Sequence, residues 1–280
     1  MFEYRNKRVQ GVDFYSWELI QFDVEANLPG FIGKEADEIT NILVVGAWRG
    51  DEVQSFLQLP RAEVYCFEAN PQTFDELRGQ YRGNDRVHCY DRACAAENGT
   101  AIFHETNVSG NGSMLPVHRH GQASQTDQFV VETIRLDSMA ELQGKAIDLL
   151  WADVQGFELQ VLRGATGLLP RVAALFLEVS VEGQSYKNAA KLSQLEDFVQ
   201  IFGFSRIAAG LGPNGEGNAL FVKSGIAQSM CDSAVRVDAR LESLLQTKAR
   251  LRRLEHSAVV DFLRRIVPQP IRTFIKHRLR

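Results

Sequence analysis

Between Asn41 and Lys223 the chain alternates short runs of β-branched and apolar residues with amphipathic segments. That alternation predicts an α/β domain on a mainly parallel sheet with helices on both faces. Ile42-Leu43-Val44-Val45 reads as a first strand ending at Gly46, Val53 to Leu59 as a helix and Glu63 to Phe67 as a second strand, together a βαβ unit. A helix from Gln72 to Tyr81 leads to a third strand, Arg86 to Tyr90. Ile147 to Trp151 is a fourth and precedes a helix from Glu158 to Arg163. Val172 to Val179 is a fifth, followed by a helix near Leu192 to Phe202. Ser205 to Ala208 and Asn218 to Val222 flank a stretch rich in glycine, so these two are expected to run antiparallel.

Three segments stand outside this rhythm. An insertion follows the third strand, with strand-like pieces at Ala101 to His104 and Phe129 to Leu136. The polar stretch between them, Asn107 to Asp127, is too long for an ordinary connection. Residues 1–40 lack a clean period but hold the aromatic cluster Phe14, Tyr15, Trp17 and Phe22, and are expected to form a helical cap. Residues 225–280 carry Leu241, Leu244, Leu245, Lys248, Leu251, Leu254, Ala258, Phe262 and Ile266 at steps of three and four, one stripe of an amphipathic helix that Pro268 and Pro270 stop. Beyond the prolines, Ile271 to Arg280 has the pattern of a short second helix. The expected division is therefore cap 1–40, central domain 41–224 and helical tail 225–280.

Composition narrows the classes. A chain 45% hydrophobic and 24% charged forms a core. Its apolar runs are shorter than the ~18 residues of a membrane span, and its first residues enter no apolar signal core. Cys66, Cys89, Cys94 and Cys231 include no C-x-x-C pair and are read as reduced thiols of a cytoplasmic protein. The net charge of −4 argues against a nucleic-acid partner but hides an asymmetry. Residues 236–280 hold twelve Lys/Arg against four acids, hence +8, which leaves −12 on the rest.

Chemistry is expected first at Gly46-Ala47-Trp48-Arg49-Gly50, where a small-residue turn leaving the first strand lets backbone amides approach a ligand. Trp48 stands where a dinucleotide fingerprint needs its second glycine, which leaves no room for a pyrophosphate. Glu68 ends the second strand, where an acid accepts both hydroxyls of a ribose. The two features suit a nucleoside cofactor without a diphosphate, S-adenosyl-L-methionine.

These segments resemble the FkbM-type methyltransferases. The resemblance is carried by Val45 to Glu52, Phe67-Glu68-Ala69-Asn70-Pro71, Ile134 to Met139, Asp153 to Ala165 (reading DVQGFELQVLRGA), Leu177-Glu178-Val179 and Gly217 to Val222. It implies a Rossmann-like seven-stranded methyltransferase sheet, mainly parallel with its last strand antiparallel. It also implies S-adenosyl-L-methionine-dependent O-methylation, often of sugars in glycolipids, surface polysaccharides or glycosylated natural products. Val44 and Trp48 replace an Asp and an Asn common in the family, and Trp151-Ala152 stand where a Lys is common. The expected cofactor contacts are Gly46, Ala47, Gly50, Glu68, Asn70, Asp153 and Gln155.

Methyl transfer needs the acceptor oxygen aligned with the sulfonium methyl and a base for its proton. Asp153 and Glu178, at the carboxyl ends of the fourth and fifth strands, are the catalytic candidates. The competing readings are a helix N-cap for Asp153, and a solvated or Arg-paired acid for Glu178. Glu158 either lines the site or caps its helix, and Asp137 is read as a cap of Ser138 to Leu142. His104, His118 and His120 sit in or beside a glycine-rich loop and make no strong metal motif, so no metal is expected. Ser109 to Leu115 (SGNGSML) resembles a small-polar family segment suited to a polyol; a flexible linker is the other reading. Three alternatives stand beside a sugar or polyol acceptor: O-methylation of a non-sugar natural product, a non-catalytic S-adenosyl-L-methionine-binding scaffold, and an unrelated nucleotide-binding protein. For the tail the readings are packing on the chain's own body, pairing in a homodimer, or docking of residues 236–280 on an acidic partner or an anionic membrane at its inner face.

Overall fold

The computed structural model describes residues 2–9, 12–118, 123–183, 185–227 and 244–253. Three short strands, β1 (Phe2–Glu3), β2 (Lys7–Val9) and β3 (Val12–Phe14), precede α1 (Ser16–Ile32). The central domain runs β4 (Asn41–Val45), α2 (Asp51–Phe56), β5 (Glu63–Phe67), α3 (Pro71–Gln80) and β6 (Val87–Tyr90), then β7 (Ala93–Cys94), β8 (Gly99–Thr106) and β9 (Gln125–Ile134). It closes with β10 (Ile147–Ala152), α4 (Glu158–Arg163), β11 (Val172–Ser180), α5 (Leu192–Gln200), β12 (Phe204–Leu211), β13 (Glu216–Lys223) and the single turn α6 (Ser224–Ala227).

The expected seven strands form one sheet in the order β12, β13, β11, β10, β4, β5, β6, with β13 antiparallel to both neighbours. A two-residue eighth strand lies beyond the expectation: β1 pairs parallel to β12, Phe2 opposite Ala208. Residues 1–40 are therefore not a purely helical cap, since they also give the sheet an edge strand and form a β2–β3 hairpin.

The sheet separates two apolar layers. On one face Ile20, Val24 and Leu28 of α1 pack with Val53 and Phe56 of α2 and Leu77 of α3. On the other, Val161 and Leu162 of α4 pack with Leu192, Leu195 and Val199 of α5. β10 is buried along its whole length because helices cover both sides, so it reads as an unbroken apolar run interrupted only by Asp148. That buried carboxylate is satisfied by the Lys34 ammonium and by the amides of Thr40 (2.7 Å) and Asn41 (3.0 Å).

The insertion is more regular than expected. β8 and β9 pair antiparallel over Gly99 to Thr106 and Gln125 to Thr133, and β7 joins them. The polar connection is shorter for it, because residues 125–127 already belong to β9. α2 starts at Asp51, before the expected Val53, because Gly50 takes a left-handed conformation (φ 77°) and turns the chain directly into the helix.

Residues 244–253 are helical and lie on α1, which favours the packing reading for this part of the tail. Leu245 and Ala249 bury against Leu19, Lys248 stands over the Phe22 ring, and Arg252 meets Glu18 at 2.8 Å. Leu245 and Ala249 are buried and Leu244, Lys248 and Arg252 half-buried; Leu251, expected on the apolar stripe, is exposed. Cys231, stripe positions 241, 254, 258, 262 and 266 and the second helix expected at 271–280 lie outside the described residues. Among the described residues no helix is long and apolar enough to cross a membrane.

Candidate active site

Strand register sets the site. Phe67 pairs with Val45, Val45 with Ala152 and Ala152 with Leu177. One residue further along these strands stand Glu68, Gly46, Asp153 and Glu178. The row continues through Asn218 of β13, opposite Glu178, to Gly210 of β12, opposite Asn218. Side chains alternate along a strand, and Trp151, Phe176 and Leu220 pack in the layer under α1. Asp153, Glu178 and Asn218, two positions away from them, project toward that same face. The parallel strands change winding direction between β4 and β10, the place where an open α/β sheet leaves a crevice at its carboxyl edge.

A cavity of about 370 Å³ occupies that crevice, with Gly46, Trp48, Glu68, Met114, Asp153 and Gln155 among its walls. The Glu68 carboxylate is held by backbone: one oxygen accepts from the Trp48 amide and the other from the Asn70 amide, both at 2.8 Å. Burial raises its pKa to about 7, against the opposing pull of these amides. Gly46 is obligatory, since its φ is 79° and a Cβ there would lie 1.9 Å from the Asp153 carbonyl oxygen. Trp48 (φ 44°) and Gln155 (φ 55°) hold the left-handed conformation without being glycine, a strain that concentrates at functional sites.

In the first turn the backbone amides are already paired, and only Gly46 of the three expected residues lines the cavity. The Gly46 and Ala47 amides both donate to the Phe67 carbonyl, and the Gly50 amide donates to Ala47. Ala47 is buried in the α1 layer. Gly50 faces α3, where a Cβ would come within 2.7 Å of Leu77 and Tyr81. Neither Ala47 nor Gly50 lines the cavity, so their role is to shape the turn. Trp48 lines the cavity: its amide fixes Glu68, and its indole Nε1–H donates to Ser109 Oγ at 3.3 Å. Asn70 lines the cavity but is chiefly the N-cap of α3, accepting from the Gln72 and Thr73 amides while its own amide group donates to Glu105.

The acids separate by role. Asp153 lines the cavity, accepts from Gln155 Nε2 at 2.8 Å and shares a hydrogen bond with the Glu178 carboxyl. Asp153 does not cap α4, whose N-cap Phe157 has no side-chain cap bond; the Glu158 Oε1 instead ties down the turn before the helix, accepting from the Val154 (3.1 Å) and Gly156 (3.2 Å) amides. Burial, with Asp153 nearby, pushes Glu158 up to about 8. Glu178 is not on the main cavity wall. It lies in the adjoining cleft with Glu158, Tyr186 and Glu216, and burial together with the Asp153 charge holds its pKa well above the usual carboxylate range. Two carboxyl groups this close disfavour a second charge, which adds to burial in raising Glu178.

The segment from Ser109 to Leu115 is anchored over the cavity. Gly110 lies against the Trp48 indole, Ser113 Oγ donates to the Gln155 carbonyl at 2.8 Å, and the Asn111 carbonyl accepts from Tyr186 at 2.9 Å. Tyr186 shares its one hydroxyl proton between the Asn111 carbonyl and Gln155 Oε1, 2.8 Å away, so Gln155 is held at both ends of its amide and positions Asp153. Nothing in the sequence pattern singles out Tyr186, which sits in an irregular segment after β11.

Asp137 does not cap the segment after it. Its carboxylate ties down the turn before β11, accepting from the Gly167 (3.0 Å) and Leu168 (2.8 Å) amides. His104 is buried, with Nδ1 3.1 Å from Gln125 Oε1, and His118 bonds through its backbone to Ser185. His120 lies outside the described residues. Among the described residues no group of three or more His, Cys, Asp or Glu is arranged to hold a metal ion.

Residues 45–206 match the methyltransferase FkbM domain. Over 174 residues the chain is 31% identical to the 2-O-methyltransferase NoeI of Sinorhizobium fredii, covering 58% of this chain and 71% of that protein. Over 197 residues it is 25% identical to the hexuronic acid methyltransferase AglP of Haloferax volcanii, covering 65% and 79%. Among solved structures, Aeropyrum pernix fibrillarin with natively bound S-adenosyl-L-methionine aligns over 78% of this chain and 82% of that one, with a TM-score of 0.41 and 14% identity.

Proposed function

The chain belongs to the FkbM methyltransferase family, and from that premise we propose that it methylates a hydroxyl oxygen of a sugar, with S-adenosyl-L-methionine as donor. The names of its two relatives, a 2-O-methyltransferase and a hexuronic acid methyltransferase, support the acceptor class. The observation that carries the reading is the single row that sets Glu68 and Asp153 on walls of one cavity, with Glu178 bonded behind Asp153.

The cavity fits the donor in chemistry. Glu68, fixed by two backbone amides, leaves lone pairs for the two hydroxyls of a ribose, and Met114, Phe103 and Trp48 offer apolar wall. When bound, the donor supplies an electrophilic methyl group on a sulfonium. Asp153 receives or orients the proton of the acceptor hydroxyl, and Gln155 and Glu178 hold it in place. Glu178, raised by burial and by Asp153, adds less charge to the crevice than an ordinary carboxylate.

Calorimetric titration of the full chain with S-adenosyl-L-methionine tests the donor. Mass spectrometry of a neutral and acidic saccharide panel after incubation tests the acceptor. Saturable binding and a gain of one methyl on a sugar are the expected results. Methylation confined to non-sugar hydroxyls would overturn the acceptor assignment.

A further inference from the structure

The row of site residues does not stop at Glu178. Asn218, opposite Glu178, donates through Nδ2 to the Trp17 carbonyl at 3.4 Å. Gly210, opposite Asn218, touches the start of α1 so closely that a Cβ would lie 2.1 Å from the Ser16 carbonyl oxygen. Ser16 Oγ in turn donates to the Leu211 carbonyl at 2.7 Å. The first turn of α1 is thus bolted to the carboxyl edge of the sheet, on the face toward which Asp153 and Glu178 project. Adjacent strands lie about 4.8 Å apart, so Asn218 stands roughly 10 Å along the row from Asp153.

Two aromatic rings flank Ser16. Tyr15 and Trp17 are 52% and 40% exposed, and their rings lie parallel within 3° at a centroid distance of 6.2 Å. Neither belongs to residues 45–206, which match the family. Large aromatic side chains left in water at a fixed position mark a contact surface. A pyranose ring complements such a surface, because its C–H groups form an apolar, slightly positive face that lies on the negative face of an aromatic ring, while its hydroxyls stay solvated. The backbone that carries the rings is fixed: the Tyr15 amide donates to Glu18 at 2.9 Å, and Ser16 between them is buried. Only side-chain freedom is therefore left to lose on contact.

Resting on the sugar reading above, we infer that Tyr15 and Trp17 form a stacking platform for a second, uncharged sugar ring of the acceptor, adjoining the ring whose hydroxyl reacts at Asp153. The true acceptor is then an oligosaccharide or glycoconjugate, not a free monosaccharide. The Asp153 carboxylate, with Glu216 in the adjoining cleft, disfavours an anionic ring in the crevice.

The test uses the full chain with methyl glycosides of glucose, galactose, mannose, rhamnose and N-acetylglucosamine, and with the di- and trisaccharides built from them. Binding is read by saturation-transfer NMR and methyl transfer by mass spectrometry. A disaccharide or longer acceptor is expected to bind more tightly than its monosaccharide. Trp17→Ala and Tyr15→Ala should each raise KM for that longer acceptor about tenfold with kcat retained, and Trp17→Phe and Tyr15→Phe should restore most of it. Monosaccharide KM and S-adenosyl-L-methionine affinity should not move in any variant, which also reports that the variants are folded. Wild-type KM for the longer acceptor in both alanine variants, or no gain with acceptor length, overturns the platform and leaves the sugar reading standing. Methylation of non-sugar hydroxyls with no sugar bound overturns both.

Discussion

Asp153 and Glu178 stand side by side at the carboxyl ends of adjacent parallel strands, and their carboxyl groups are joined by a hydrogen bond. Only Asp153 reaches the main cavity; Glu178 lies behind it, in a smaller cleft. The relationship divides labour between two acids that look equivalent in sequence. One faces the cavity, and the other backs it from the cleft.

Asp153→Asn keeps the shape and removes the charge. If Asp153 takes the acceptor proton, turnover should fall by about 10² to 10⁴ with donor affinity largely intact. Single-turnover methylation and calorimetry on the same preparation measure both. Glu178→Gln retains a donor toward Asp153 and should cost much less.

Glu68→Ala should weaken S-adenosyl-L-methionine binding by roughly 1.5 to 3 kcal/mol, the loss of charge-assisted hydrogen bonds to a diol. Because the Glu68 carboxyl is pushed up to about 7, donor affinity in the wild type should decline as pH falls below neutrality. Titrations between pH 5.5 and about 8 follow this directly. Affinity independent of pH, and unchanged in the variant, would remove Glu68 from the donor site.

Stability should also respond to pH, in the opposite sense to the usual carboxylate case. Glu68 and Glu158 rise from 4.5 to about 7 and about 8 on folding. Between these values the folded chain holds protons that the unfolded chain has released, so stability declines as pH rises through that window. Urea unfolding near pH 5.5 and pH 8 should show the higher midpoint at the lower pH. Glu158→Gln should flatten the trend.

Gly46→Ala should destroy the site without touching any polar group. The backbone there is left-handed, which alone costs roughly 1–2 kcal/mol for a residue with a Cβ. The added carbon would also collide with the Asp153 carbonyl. Lower thermal midpoint and lost donor binding are expected together.

Leu245→Asp should release the helix at 244–253 from α1, since it places a charge among Leu19 and Ala249. Hydrogen exchange should accelerate in residues 244–253 while the central strands keep their protection. Unchanged protection of the helix would mean that the Arg252–Glu18 and Lys248–Phe22 contacts hold it alone.

By itself the sequence determined the parts of this protein that depend on local periodicity. β-branched runs at Ile42 to Val45, Glu63 to Phe67 and Ile147 to Trp151 bury on both faces, so their pattern survives any detail of packing, and the antiparallel pair at the end follows from a short glycine-bearing connection. The α4 boundaries, Glu158 to Arg163, and the placement of Glu68 and Asp153 at strand ends were legible for the same reason. What only the tertiary structure decided is which groups of a motif face the cavity. The amides of Gly46, Ala47 and Gly50 are consumed by the sheet and the turn, while the bulky Trp48, read in sequence as an obstacle, ties Glu68 to the insertion. Glu178 looked like a partner of the substrate and is a partner of Asp153, because a one-residue register between β10 and β11 sets them side by side. Tyr186 joins the site from the irregular segment after β11, and Asn218 of β13 meets the Trp17 carbonyl of α1. Each is a single polar or aromatic residue, and no period marks a residue whose neighbours are set by strand order.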